Sequence, residues 1–295
     1  MILYKTYLKL FQENKISLGL SYRLPDYANK YWLEKLEKAI LSVSSPLRFL
    51  DIGAGGGRFS ILFLRTYFEQ GIAIEKSPNK FIWNKIGQEF SSLRLIDDDA
   101  QKALTDLAGK KFDFILLSES FEHIPLVDVI PLIQSLKILL ADGGCLFLTT
   151  PNFYVQGLAE DSPYWHEKLP YGHYKHYTFQ EVKELFEENS FEVVWHCFES
   201  HWIKTNIYNN LFYPLSRLDN YFLEGFKHSP KIPNKLRDKL CFAYLYSTYP
   251  IAILCKAMIW LISKIIGMIE YYLNNESVSA TLMILFRISS CEGQD

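Results

Sequence analysis

Between residues 47 and 199 the chain alternates two hydrophobic patterns. Short unbroken apolar runs, such as "FDFILLS" and "GCLFLT", are followed by segments whose apolar side chains return every third or fourth position. Unbroken runs of that length read as strands buried on both faces, and the 3.6-residue period reads as the helices that cover them. The predicted order is a helix near 27–42, strand 47–53, helix 57–69, strand 71–76, helix 79–89, strand 93–97, a short helix from 100, strand 112–118, helix 127–140 and strand 144–149. After a long loop, "TFQEVKELFEEN" predicts a helix opened by a capping box of Thr178 and Glu181, with Asn189 as its left-handed stop. "FEVVWHCFE" then predicts a strand over 191–199. This alternation predicts an α/β fold: a doubly wound, mostly parallel sheet whose ligands sit at the carboxyl ends of the strands.

Those ends carry the candidate chemistry. The first strand runs into "LDIGAGGGRFS", with Asp51 two residues before Gly53 and then Gly55, Gly56 and Gly57. Glycines there permit positive φ and the close approach of a ligand, and the following helix N-terminus favours polar or anionic groups. A dinucleotide fingerprint would place its third glycine where Arg58 stands, which counts against a nicotinamide-dependent oxidoreductase. The second strand ends in Glu75, at the spacing where a carboxylate accepts hydrogen bonds from ribose hydroxyls. The third runs into Asp97, Asp98, Asp99 and Ala100, where a carboxylate can take the exocyclic amine of an adenine. The fourth ends in "SESFEHIP" and the fifth in "TTPN".

This ordered set, over about residues 46–200, resembles the class I S-adenosylmethionine-dependent methyltransferases, and most closely the group that contains the ubiquinone-biosynthesis O-methyltransferases. The motifs that carry it are "LDIGAGGGRF", the acidic end of the second strand, "DDDA", "SESFEHIP", "LADGGCLFLTTPN" and "GHYKHYTFQEVKELFEENSFEVV". The resemblance implies a seven-stranded Rossmann-like sheet, with an antiparallel last strand in "ATLMILFRI", 280–288. It implies that Gly53, Gly55 and Gly57 pass under the methionine moiety and that Glu75 holds the ribose. Asp99 and Ala100 frame the adenine, with Asp98 the alternative within the run of three, while Ser118 and Glu119 line the opposite wall.

The sulfonium cofactor is already an activated methyl donor, so the protein has chiefly to hold a nucleophile in line with it. A hydroxyl acceptor must also lose its proton, for which His123, His173 and His176 lie on the same rim. His123 and His173 are the candidate catalytic pair. Glu119, Glu122 and His123 form E-x-x-E-H, and with His173 they resemble the carboxylate and imidazole set by which ubiquinone-pathway enzymes and small-RNA 2′-O-methyltransferases hold a divalent ion. Such a set suits Mg²⁺, Mn²⁺, Fe²⁺ or Zn²⁺. The alternative leaves the histidine merely capping or lining the pocket.

Composition adds limits. At 295 residues with a net charge of −2, no broad nucleic-acid footprint is expected. Five cysteines without a C-x-x-C pair argue against a zinc ribbon or a disulfide framework and for a reduced, cytoplasmic setting. "MILYKTYLKLFQENK" does not read as a signal peptide. The expected organisation is an N-terminal helical cap over 1–45, a cofactor-binding core over 46–199, a helical insertion over 200–278, and the last strand and tail over 279–295. The insertion is apolar and aromatic, with nine basic and five acidic residues. Its segment from Pro250 predicts a helix that is apolar over two thirds of its surface, but Lys256 and Lys264 disfavour a membrane span. Two readings stay open for it: burial against the domain or a second subunit, or a place on the inner membrane surface with 227–239 on anionic headgroups. Trp165, Tyr171, Tyr174, Trp202 and Tyr208 suggest a flat, lipidic or glycosyl acceptor. A noncatalytic membrane-associated or partner-binding module is the remaining alternative.

Overall fold

The computed structural model describes residues 1–13, 27–44, 46–153, 172–199, 265 and 281–289. The chain divides into two units, Met1–Ser200 with Asn274–Asp295, and His201–Leu273. The expected insertion over 200–278, its helix from Pro250 and its basic segment lie outside the described residues, Ile265 apart, as do Trp165, Tyr171, Trp202 and Tyr208. No helix among the described residues is long and apolar enough to cross a membrane.

In the first unit α1 (Ile2–Gln12) and α2 (Tyr27–Leu41) precede β1 (Arg48–Ile52), α3 (Arg58–Leu64), β2 (Gln70–Ile74), α4 (Lys80–Glu89) and β3 (Leu93–Ile96). Next come α5 (Ala100–Asp106), β4 (Phe112–Ser118), α6 (Val129–Leu139), β5 (Leu140–Pro151), α7 (Phe179–Glu187), β6 (Phe191–Glu199) and β7 (Thr281–Ile288). The strands form one seven-stranded sheet in the order β3-β2-β1-β4-β5-β7-β6. The pairs among β1 to β5 are parallel, while β7 runs antiparallel to both β5 and β6. This is the doubly wound sheet expected above.

Alternate residues of each strand serve opposite faces, which is why the runs are apolar throughout. Phe49, Phe114, Leu116, Phe147, Met283 and Leu285 join the core beneath α1 to α4. Leu50, Ile52, Ile115, Leu117, Leu146 and Ile284 join the core beneath α5 to α7. On the first face Phe49, Phe63, Phe68 and Phe114 pack edge-on or tilted, with centroids 5.1–5.8 Å apart. The buried Glu37 of α2 accepts from the backbone N–H of Ile2 at 2.6 Å and from the Tyr67 hydroxyl at 2.5 Å, tying α1 and α2 to the connection between α3 and β2.

Helix α7 opens with the expected capping box: Thr178 Oγ1 accepts from Glu181 N at 3.2 Å, and Glu181 Oε2 accepts from Thr178 N at 2.7 Å. Its stop differs from the expectation. Ser190, not Asn189, takes the positive φ of 66°, because Asn189 stays in the last turn, its N–H on Phe186 O and its side chain on Leu185 O. The helix expected over 57–69 ends at Leu64, and that expected from 127 begins at Val129 after a 3₁₀ turn over Leu126–Asp128. Thr178→Ala is expected to cost about 1 kcal/mol, read as a lower urea midpoint at unchanged slope.

Candidate functional site

The turn between β1 and α3 is held by β2. The N–H groups of Gly53 and Ala54 both donate to Ile74 O, at 2.9 and 3.0 Å. Gly53, Gly55 and Gly57 all take left-handed φ, at 72°, 54° and 74°, where a Cβ is disfavoured. Two of the three are also crowded: a Cβ on Gly53 would lie 2.0 Å from Ser120 Oγ, and one on Gly57 2.7 Å from Ile86 Cδ1. A Cβ on Gly55 would meet nothing within 4 Å. The same holds for Gly56, so Gly55 is the glycine of the turn that combines a left-handed φ with open space beside it. Its N–H donates to Glu75 Oε2 at 2.6 Å, and its carbonyl accepts from Trp83 Nε1 at 2.9 Å.

Asp51 lies beneath the turn, 2% exposed, and accepts from Ser60 Oγ at 2.6 Å. Burial pushes its carboxyl up to about 6, with the Ser60 hydrogen bond pulling the other way and the Glu75 charge adding to the rise. The folded chain therefore keeps a proton that the unfolded chain releases from about pH 3.8 upward. Stability falls as pH rises through that window and is level above it. Asp51→Asn can still accept from Ser60 and lacks the penalty. It is expected to match the parent below pH 4 and to exceed it by on the order of 2–3 kcal/mol above pH 7, measured by urea unfolding across pH. A stability gap that does not depend on pH would contradict the assignment.

At the end of β3, Asp99 caps α5, accepting from Gln101 N at 3.0 Å, and faces Lys76 Nζ at 3.3 Å. Asp98 accepts from Asp99 N at 2.8 Å and from Lys102 Nζ at 2.6 Å, and the Lys102 bond holds its carboxyl below the usual range. Each faces a lysine, and only Asp99 stands with Ala100 at the helix start as its cap. At the end of β4, Ser118 Oγ lies 3.1 Å from Thr149 Oγ1, and the exposed Glu119 takes a left-handed φ of 49°.

Beyond Glu119 the chain makes a 3₁₀ turn over Phe121–His123. Segment 172–178 is stitched to it by Tyr174 N, which donates to Glu122 O at 2.7 Å, and to the chain just after β5 by Phe153 N, which donates to Tyr177 O at 3.1 Å. This brings Glu122, His123 and His173 together, each offering a ligand atom within 4.8 Å of the others; Glu119 is not in that group. Glu122 is 1% exposed and accepts from Thr150 Oγ1 at 3.1 Å. Burial, and then the Glu119 charge, push its carboxyl well above the usual carboxylate range. His123 Nδ1 lies 3.3 Å from Gly172 O. A carbonyl only accepts, so that nitrogen carries a proton, and in the neutral ring Nε2 holds the lone pair. His173 stands edge-on to His123 at 4.5 Å, and its Nδ1 lies 2.7 Å from Nε2 of His176. His173 is shifted down by burial and then by His123, and His176, 2% exposed, is pushed down to about 4 by burial and its two imidazole neighbours.

Trp83 and Ser120 shape the site without having been expected to. Trp83 lies 28 residues beyond the carbonyl that it anchors, and no local pattern marks it. Ser120 was visible only as the centre of "SES", yet its hydroxyl, on Ile52 O at 3.2 Å, fills the place a Gly53 side chain would take.

A family model described as a methyltransferase domain matches residues 24–196. Among solved structures the chain is similar to a protein of Galdieria sulphuraria described as a candidate sarcosine dimethylglycine methyltransferase, at 15% identity over 88% of this chain and 84% of that one, TM-score 0.52. It is similar to the (4+2)-cyclase SpnF at 14% identity over 98% and 93%, TM-score 0.51. A SAM-dependent methyltransferase of Archaeoglobus fulgidus is 16% identical over 95% and 99%, TM-score 0.49. No curated protein matches the chain.

Proposed function

Because the chain belongs to the methyltransferase-domain family, we propose that it transfers the methyl group of S-adenosylmethionine to the oxygen of a small hydroxyl-bearing acceptor, a lipid, quinone-like or saccharide precursor. One observation carries this reading. Ser120 packs against Gly53, so the glycine turn and the cluster of Glu122, His123 and His173 stand a few residues apart on one rim. In this reading the methionine moiety lies along Gly53, Gly55 and Gly57, Glu75 accepts from the ribose hydroxyls, and Asp99 with Ala100 frames the adenine. The acceptor oxygen attacks the methyl carbon in line, the carbon–sulfur bond breaks and its pair passes to sulfur. Positioning of this kind contributes about 7–11 kcal/mol. The hydroxyl proton passes to Nε2 of His123, the nitrogen that the Gly172 carbonyl leaves with a lone pair.

A second reading has its own support. One carboxylate and two imidazoles whose donor atoms lie within 4.8 Å of one another suit a divalent cation, which Glu122, His123 and His173 would hold and which would act as a Lewis acid toward the acceptor. Tritium-labelled methyl transfer into soluble and membrane extracts tests both readings. The base reading expects transfer that survives a chelator and falls at least tenfold in His123→Ala. Transfer that a chelator abolishes and metal restores favours the cation. No transfer to any fraction by protein that binds the cofactor favours a noncatalytic module. The excess of basic over acidic residues in 200–278 supports a place on an anionic membrane surface, which liposome flotation of the full chain would reveal.

A further inference from the structure

His173 and His176 share a single proton between Nδ1 and Nε2 at 2.7 Å, and that proton can belong to either ring. If His173 donates, His176 carries its own proton on Nδ1, a buried N–H that finds no hydrogen-bond partner among the described residues. Orphaned buried N–H groups are rare because they lose their hydration without return. If His176 donates, its idle nitrogen holds only a lone pair, and both rings adopt the Nε2–H form that neutral histidine intrinsically favours. The buried Nδ1 of His176 has no acceptor for a proton among the described residues, so the geometry places the proton of His176 on Nε2, toward His173.

We propose that His176 is a positioning residue: by donating Nε2–H to His173 Nδ1 it fixes His173 as a hydrogen-bond donor at Nε2, beside His123 as an acceptor at Nε2. The inference rests on the base reading of the proposed function. A hydroxyl meets such a pair completely. Its O–H gives to His123, one oxygen lone pair accepts from His173, and the second lone pair stays available to the methyl carbon. A neutral amine has a single lone pair; once that accepts from His173, nothing is left to attack. The two imidazoles therefore select oxygen over amine nitrogen. In this state His173 offers a proton, not a ligand lone pair, so a cation there would first have to displace it.

Long-range nitrogen–proton correlation spectra of ¹⁵N-histidine-labelled, chelator-treated full-length protein test the assignment. His173 is expected as a single tautomer, protonated at Nε2 with Nδ1 accepting. His176→Phe, which keeps the ring and removes the donor, should lose that single form, and His176→Gln, whose amide can still donate, should retain it. A wild-type His173 protonated at Nδ1, or spectra of His173 unchanged in His176→Phe, would overturn the proposal. If the Phe variant does not fold, the wild-type and Gln spectra decide alone. Labelled product from the extract assay should carry its methyl on oxygen; an N-methyl amine would overturn the selection of oxygen. Absence of all transfer would count against the proposed function while the spectra still decide the tautomer.

Discussion

Gly55→Leu is expected to weaken S-adenosylhomocysteine binding more than 100-fold while leaving a folded protein. The φ of 54° at this position costs a residue with a Cβ about 1–2 kcal/mol, a fall of only a few degrees in melting temperature, about 2–4 °C per kcal/mol for a chain of this order. A Cβ there meets nothing within 4 Å apart from its chain neighbours, so the leucine is expected to extend into the space assigned to the cofactor. Gly57→Ala provides the contrast. It adds the same φ penalty to a contact of 2.7 Å with Ile86 and 3.2 Å with Trp83, both buried in the core. Overpacking of that kind costs about 1–3 kcal/mol more. Two glycines two positions apart should therefore separate in experiment: Gly55 through affinity, Gly57 through stability, each read by calorimetric titration beside thermal unfolding. Equal loss of stability in both would contradict the assignment of the open space.

Glu75→Ala should weaken the same ligand by roughly 10- to 150-fold, the equivalent of losing a charge-assisted hydrogen bond of about 1.5–3 kcal/mol. The carboxylate rests on Gly55 N at 2.6 Å, so it already stands at the turn rather than out in solvent. Its removal also relieves Asp51, whose carboxyl it helps to push up. The lost Gly55 bond and the relief of Asp51 oppose each other, so the variant should stay within about 1 kcal/mol of the parent's stability at neutral pH and yet bind worse, a separation that loss of folding cannot imitate. A variant that binds as tightly as the parent would remove Glu75 from the ribose site.

The sheet was legible because double-sided burial leaves an apolar run with only one reading. Phe114 and Leu116 fill one core, and Ile115 and Leu117 fill the other. The strand over 112–118 accordingly appears with its expected bounds. Helix ends were less legible, since Asn189 and Ser190 are both acceptable stops and only the continued bonding of Asn189 into the last turn decides between them. Of the site, Glu122 and His123 could be read from their spacing. Their meeting with His173 depends on backbone bonds from Tyr174 to Glu122 and from Phe153 to Tyr177, which no local pattern announces. Glu119 belonged to the expected ligand set and lies outside the group that forms. It precedes the 3₁₀ turn in a left-handed conformation, whereas Glu122 and His123 lie within that turn. Trp83 and Ser120 act through side-chain contacts that only the packed structure creates.

The most direct test of the central claim is calorimetric titration of S-adenosylmethionine and S-adenosylhomocysteine into the folded full-length protein. Saturable binding of both at one site per chain, lost in Gly55→Leu, is the expected result. Well-folded wild-type protein that binds neither would contradict it, and would leave the sheet as a shared fold without the shared cofactor.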